Sequence, residues 1–321
     1  DGGSGAGEAY VVFGGAGTFG TDVSGRQVID LSTLSAAQGF IIQGDMSGDS
    51  TGRSVSSAGD INGDGIDDLI IGASSGDDGG TMAGEAYVVF GTDQGFGVDV
   101  SGRQVIDLSS LSSAQGFIIQ GDRNDDRAGI SVSSAGDVNG DGIDDVIVGA
   151  LRGDDGGSDS GEAYVVFGTD QGFGVAVSGR QVLDLSTLSA ADGFIIKGDR
   201  SGDYAGRSVS SAGDVNGDGF DDLIVGAQRG DDGGSNAGEA YVVFGTDQGF
   251  GIDVSGRQVI DLTTLSATQG FVLQGDEAGD FAGISASSAG DINGDGFDDL
   301  IVSGYQNDDG GLNAGGAYIV Y

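Results

Sequence analysis

The 321-residue sequence predicts an all-β protein, a β-propeller of four-stranded antiparallel blades built from about four repeats. Three observations lead there. The stretch GDINGDGIDDLIIGA, starting at Gly59, returns three times in variant form, with first aspartates Asp60, Asp137, Asp214 and Asp291, so the period is 77 residues. Each repeat holds four short apolar or alternating runs separated by Gly- and Asp-rich turns. No run keeps helical spacing over a useful length, one turn around LSSLSSAQ aside.

The unit from Gly52 to Asp122 serves for all. GRSVSSAGD (Gly52 to Asp60) alternates small, polar and apolar residues, as a tightly packed strand does. DDLIIGA (Asp67 to Ala73) is β-branched and apolar, long enough for a buried strand and too short for a helix. The glycines and aspartates of SSGDDGGTMAG make a loop. EAYVVFG (Glu85 to Gly91) is a third strand, rich in aromatic and β-branched side chains. A long connection follows, in which Val105, Ile106 and Leu108 are expected to pair locally, and GFIIQGD (Gly116 to Asp122) is the fourth strand.

Four short strands per 77 residues favour radial repetition over a β-solenoid, whose repeats are far shorter, and over sandwiches, which need more strands per unit. The AYVVF run occurs five times, at Ala9, Ala86, Ala163, Ala240 and Ala317, so the strands number 17, one more than four blades need. The units are 52–128, 129–205, 206–282, and 283–321 combined with 1–51. Terminal strands from both chain ends are expected to complete a blade or to pair between chains. A segment of a longer repeat array fits the same pattern.

The composition narrows the chemistry. There are 51 acidic and 12 basic residues, a formal charge of -39, with 68 Gly and no His, Cys, Pro or Trp. Such a surface repels nucleic acid and anionic membranes and attracts cations. No apolar run approaches the roughly 20 residues of a membrane span. Without Cys there are no disulfides and no zinc–thiolate sites.

Aligned on its first aspartate, each acidic loop reads D-x-N-x-D-G-x-x-D. Positions one, three, five and nine are Asp60, Asn62, Asp64 and Asp68; Asp137, Asn139, Asp141 and Asp145; Asp214, Asn216, Asp218 and Asp222; Asp291, Asn293, Asp295 and Asp299. Alternate residues of a tight loop turn their oxygens onto one point, and hard oxygen donors without His or Cys select calcium. The apolar residue at position seven (Ile66, Ile143, Phe220, Phe297) is expected to offer its backbone carbonyl and bury its side chain. An EF-hand loop begins alike but needs a bidentate Glu at position twelve, where this chain has Ile71, Val148, Val225 or Val302 inside a strand. Asn-Gly and Asp-Gly alone would explain a good turn. Four loops with every oxygen position intact point to about four calcium ions, one per repeat.

GDVNGDGFDDLIVGA followed by GEAYVVFG resembles the FG-GAP repeat of the integrin α-subunit propeller and of many secreted bacterial proteins. The resemblance spans essentially the whole chain. It implies calcium in the loop between the first two strands of each blade, on one face of the disc, and extracellular work in adhesion or ligand binding. Two departures stand out. The integrin propeller has seven blades, and the proline of the GAP element is missing: Ala73, Ala150 and Ala227 precede Ser74, Leu151 and Gln228, and the fourth unit has Ser303-Gly304.

Further acids recur at Asp77, Asp154, Asp231 and Asp308 in GDDGG, and at Asp45, Asp122, Asp199 and Asp276. They read as solvated loops or as a second set of cation sites. Arg26, Arg103, Arg180 and Arg257 in SGRQV are expected as structural partners of nearby carboxylates. A carboxylate-based glycoside-acting enzyme is disfavoured, because each acidic cluster recurs in every unit and no Trp offers a sugar platform. The reading is a non-catalytic, calcium-stabilised extracellular binding or scaffold protein of the cell surface. Its partner is an extracellular protein or glycan, or a second copy in a self-assembling layer or filament.

Overall fold

The computed structural model describes residues 3–17 and 19–321; positions 1, 2 and 18 of the 1–51 segment lie outside the described residues. These residues form 25 strands and four 3-10 turns, with no α-helix. None of them forms a helix long and apolar enough to cross a membrane.

Each complete blade is an antiparallel meander. In the second, the inner strand Ala128–Gly136 pairs with Asp145–Ala150, then Glu162–Val166, then the outer strand Gly193–Lys197. The two middle strands are buried along their whole length. Their apolar residues therefore run on without alternation, since both faces of the blade are covered by neighbours. The inner strand ends in a bulge between Ser134 and Gly136, where Gly136 takes φ 72°. That bulge turns the chain into the acidic loop.

Blades stand side by side along their inner strands, Ser54–Gly59 against Ala128–Gly136, then Ala205–Gly213, then Ala282–Gly290. Phenylalanines and β-branched residues from adjoining units make the shared cores. This is propeller architecture, and among the described residues no strand pairing closes a ring. Glu8–Val12 pairs with Gly39–Gln43, while Ala282–Gly290, Asp299–Gly304 and Gly316–Val320 form a separate sheet. Among the described residues the terminal strands do not complete one blade together.

The eight strands beyond the predicted 17 are four hairpins in the long connections. Val105 does pair locally, with Val98, but Arg103–Asp107 also lies parallel to Gly39–Gln43 of the preceding unit. Arg180–Asp184 joins Gly116–Gln120, and Arg257–Asp261 joins Gly193–Lys197, in the same way. These three hairpins thus cover the open edge of the blade before them, while Thr21–Val23 and Arg26–Val28 pair only with each other. An aromatic stack fixes the position: Phe173 lies 4.0 Å from Phe117 with planes 4° apart, and Phe90 tilts against both.

Candidate cation sites at the two ends of the blade strands

Strand Asp68–Ala73 separates two acidic regions. Asp68 closes the loop opposite Gly59, and Ala73 pairs with Glu85 at the other end, about 17 Å away for five steps along a strand.

The four loops share one geometry. The position-one carboxylates of Asp60, Asp137, Asp214 and Asp291 accept from the backbone N–H groups of positions five and six, at 2.8–3.1 Å. Asn62, Asn139, Asn216 and Asn293 accept from position five at 2.8–2.9 Å. Asp64, Asp141, Asp218 and Asp295 accept from position seven at 2.9–3.1 Å. Asp68, Asp145, Asp222 and Asp299 at position nine are buried. The first three accept from Gly91, Gly168 and Gly245, and Asp299 from Ile292. In every repeat the side chains of positions one, three and five accept backbone N–H groups of one turn.

Burial pushes Asp68 and Asp222 up to about 7 and Asp145 to about 8, despite the glycine N–H each accepts. Oδ2 of Asp68 has no hydrogen-bond partner. A fully buried carboxylate with a bare oxygen, in an all-oxygen donor set, fits a hard cation.

Position seven departs from expectation. Ile66 and Phe297 are 38% and 46% exposed, and Ile143 and Phe220 are half-buried. Ile143, Phe220 and Phe297 reach back over the preceding loop instead, onto Gly63, Gly140 and Gly217. Neighbouring loops are also joined through position eight, which the sequence reading left aside although it is Asp in all four repeats. The carboxylates of Asp144, Asp221 and Asp298 accept the N–H of Asp60, Asp137 and Asp214 at 2.9–3.0 Å.

At the other strand end, three carboxylate groups gather oxygens within 4.8 Å of one another: Asp45, Asp78 and Glu85; Asp122, Asp155 and Glu162; Asp199, Asp232 and Glu239. Among the described residues the four loops hold no such group. The recurrent acids do meet, but through the second Asp of GDDGG and a buried Glu that carried no sequence signal beyond its repetition. Burial pushes Glu85 and Glu162 up to about 7. Of the SGRQV arginines, Arg180 pairs with Asp45 and Asp78, and Arg257 with Asp122 at 2.8 Å. Arg26 is exposed, and Arg103 contacts the Leu31 carbonyl at 3.5 Å.

The FG-GAP repeat family matches residues 51–89, 128–166, 205–243 and 282–321. Each match runs from the inner strand through the acidic loop to the third strand. The chain is 29% identical to integrin alpha-PS2 of Drosophila melanogaster over 66% of its own length and 14% of that protein. It is 29% identical to integrin alpha-5 of Xenopus laevis over 55% of its length and 14% of that protein. It is 30% identical to integrin alpha pat-2 of Caenorhabditis elegans over 53% of its length and 12% of that protein. The chain therefore corresponds to a small part of these relatives. With four matches in phase with four loops of one geometry, the chain belongs to the FG-GAP repeat family, in its integrin α-like form.

Proposed function

We propose that this chain is a non-catalytic extracellular adhesion or scaffold module of the cell surface whose four acidic loops each hold one calcium ion. The observation that carries the reading is the fourfold loop geometry, with its buried position-nine carboxylate. Side-chain oxygens of positions one, three, five and nine, with the carbonyls of Ile66, Ile143, Phe220 and Phe297, would form the coordination shell. Calcium supplies the charge that offsets the crowded aspartates. The ions tie each inner strand to the second, and the position-eight aspartates carry that order to the next blade.

Asp214→Ala removes one ion from the calcium stoichiometry measured by isothermal titration calorimetry and lowers stability by about 2–3 kcal/mol at saturating calcium. An unchanged stoichiometry sinks the assignment of that loop.

A further inference from the structure

Two cavities repeat where one blade meets the next, beside the acidic loops. One, of about 390 Å³, lies between Asn62 and Asp64 of the first loop and the 169–173 segment of the following unit. The other, of about 410 Å³, lies between Asn139 and the 246–251 segment. Both fall within the roughly 300–1,000 Å³ of small-ligand pockets. Backbone bonds dock the two segments: the Thr169 N–H donates to the Ile61 carbonyl at 2.9 Å, and the Thr246 N–H to that of Val138 at 2.8 Å. The floors are the phenylalanine stacks. Phe250 lies 4.0 Å from Phe194 with planes 6° apart, as Phe173 lies on Phe117. Half-buried Phe90 and Phe167 line the cavities beside them.

The rims carry polar groups that the protein leaves open. Gln181 and Gln258, half-buried in the hairpin strands Arg180–Asp184 and Arg257–Asp261, line the two cavities. Among the described residues no hydrogen bond engages either side-chain amide. Asn62 and Asn139 use Oδ1 for the N–H of position five, and Nδ2 of each has no partner. Asp170 and Asp247 are exposed, and the neighbouring Gln171 and Gln248 donate to Oδ1 of each and steer the carboxylate. Each cavity therefore offers two amide donors, an amide acceptor and a carboxylate over an apolar floor. That combination chooses among ligands. An anion meets the carboxylate and a chain of formal charge -39. A cation suits the carboxylate but faces two amide N–H donors. An aliphatic or aromatic side chain covers the floor and leaves every polar group without a partner. A hydroxyl both donates and accepts, and a pyranose ring sets several of them around a C–H face that suits the phenylalanine floor.

We propose that these inter-blade cavities are glycan sites, each taking one neutral sugar unit, with Gln181 and Asp170 in one and Gln258 and Asp247 in the other as specificity-determining residues. The proposal rests on the adhesion reading above, whose ligand class it names, and it draws on none of the oxygens assigned to calcium. A third cavity, of about 430 Å³, has the same build around Phe40, Phe96, Asp93 and Gln104. Sites repeated at successive blade junctions hold a polysaccharide by avidity although each binds its unit weakly.

Retention of the full 321-residue chain, in calcium, on immobilised dextran, mannan and galactan tests this, with dextran sulfate as the charged control. The expected result is retention on at least one neutral polymer, released by its free monosaccharide, and none on dextran sulfate. Gln181→Ala with Gln258→Ala, and separately Asp170→Ala with Asp247→Ala, weaken retention by about tenfold or more. Calcium stoichiometry and far-UV circular dichroism of both paired variants stay as in the parent chain. Passage through all three neutral columns overturns the proposal, as does retention on dextran sulfate alone. Retention that both paired variants keep overturns it too, because the sugar is then held elsewhere. Calcium uptake measured on the same samples separates the two readings. Loss of retention with calcium bound falls on the cavities alone, whereas retention without calcium uptake keeps the cavities and removes the loop assignment.

Discussion

Stripping calcium lowers the unfolding temperature of this chain by about 20 °C or more. An ion at about 100 times its dissociation constant adds roughly 2.7 kcal/mol, and four independent sites add about 11, comparable with the net stability of a whole domain. Four divalent ions also bring the formal charge from -39 to about -31. The loss is concentrated where the loops hold buried acid. The folded-state values of Asp68, Asp145 and Asp222 lie at about 7, about 8 and about 7. The unfolded chain ionises them near 4, so between those limits the unfolded state binds fewer protons. The stability of the calcium-free protein is therefore greatest below about pH 4 as far as these groups decide it, and falls as pH rises towards about 8. Calcium binds the ionised carboxylates, so its stabilising effect is larger at about pH 9 than at about pH 5. Scanning calorimetry of stripped and calcium-loaded protein at both pH values reads this directly. Equal unfolding temperatures with and without calcium would remove the metal from the account of this fold.

Local features were legible in the sequence. The run DDVIVGA carries its own strand signal, and D-x-N-x-D-G carries its own turn, because Asp and Asn side chains bond backbone N–H groups two to five residues on. The blade strands and loops accordingly lie where the sequence put them. Relations between units were not legible. Because the repeats are nearly identical, nothing in Val105 or Ile106 says whether they pair within their own unit or with the one before. The answer lies in the stack of Phe96 on Phe40, 4.1 Å apart, which only the folded array creates. Position seven misled for a similar reason. An apolar residue in a polar loop suggests local burial, yet Phe220 packs across the blade boundary onto Gly140. The buried Glu162 cluster draws on Asp122 and Asp155, residues 40 and 7 positions away, a spacing that no local motif encodes.

Gly161→Val unfolds the array or costs more than about 4 kcal/mol, whereas Gly172→Ala costs about 1–2 kcal/mol. Both glycines have positive φ, 79° and 89°, so both substitutions carry the left-handed penalty of an L-residue. Their surroundings differ. A Cβ on Gly172 meets nothing within 4 Å, but one on Gly161 would lie 2.1 Å from the Ala205 carbonyl oxygen and 2.4 Å from its nitrogen. Those are backbone atoms of the next blade's inner strand, so no side-chain rotation relieves the clash. Gly161 is also a junction: its N–H donates to Gly153, its carbonyl accepts from Gly198, and Ala205 donates to neighbouring Ser160, at 2.9 Å each. Making room separates two blades and breaks the contact that sets their spacing. The same bridge recurs at Gly7, Gly84 and Gly238, which makes it the joint of the whole array. Urea unfolding followed by circular dichroism compares the two variants. If they unfold within about 1 kcal/mol of each other, blade spacing is set by the side-chain cores rather than by this backbone contact, and the array would tolerate a side chain at every joint.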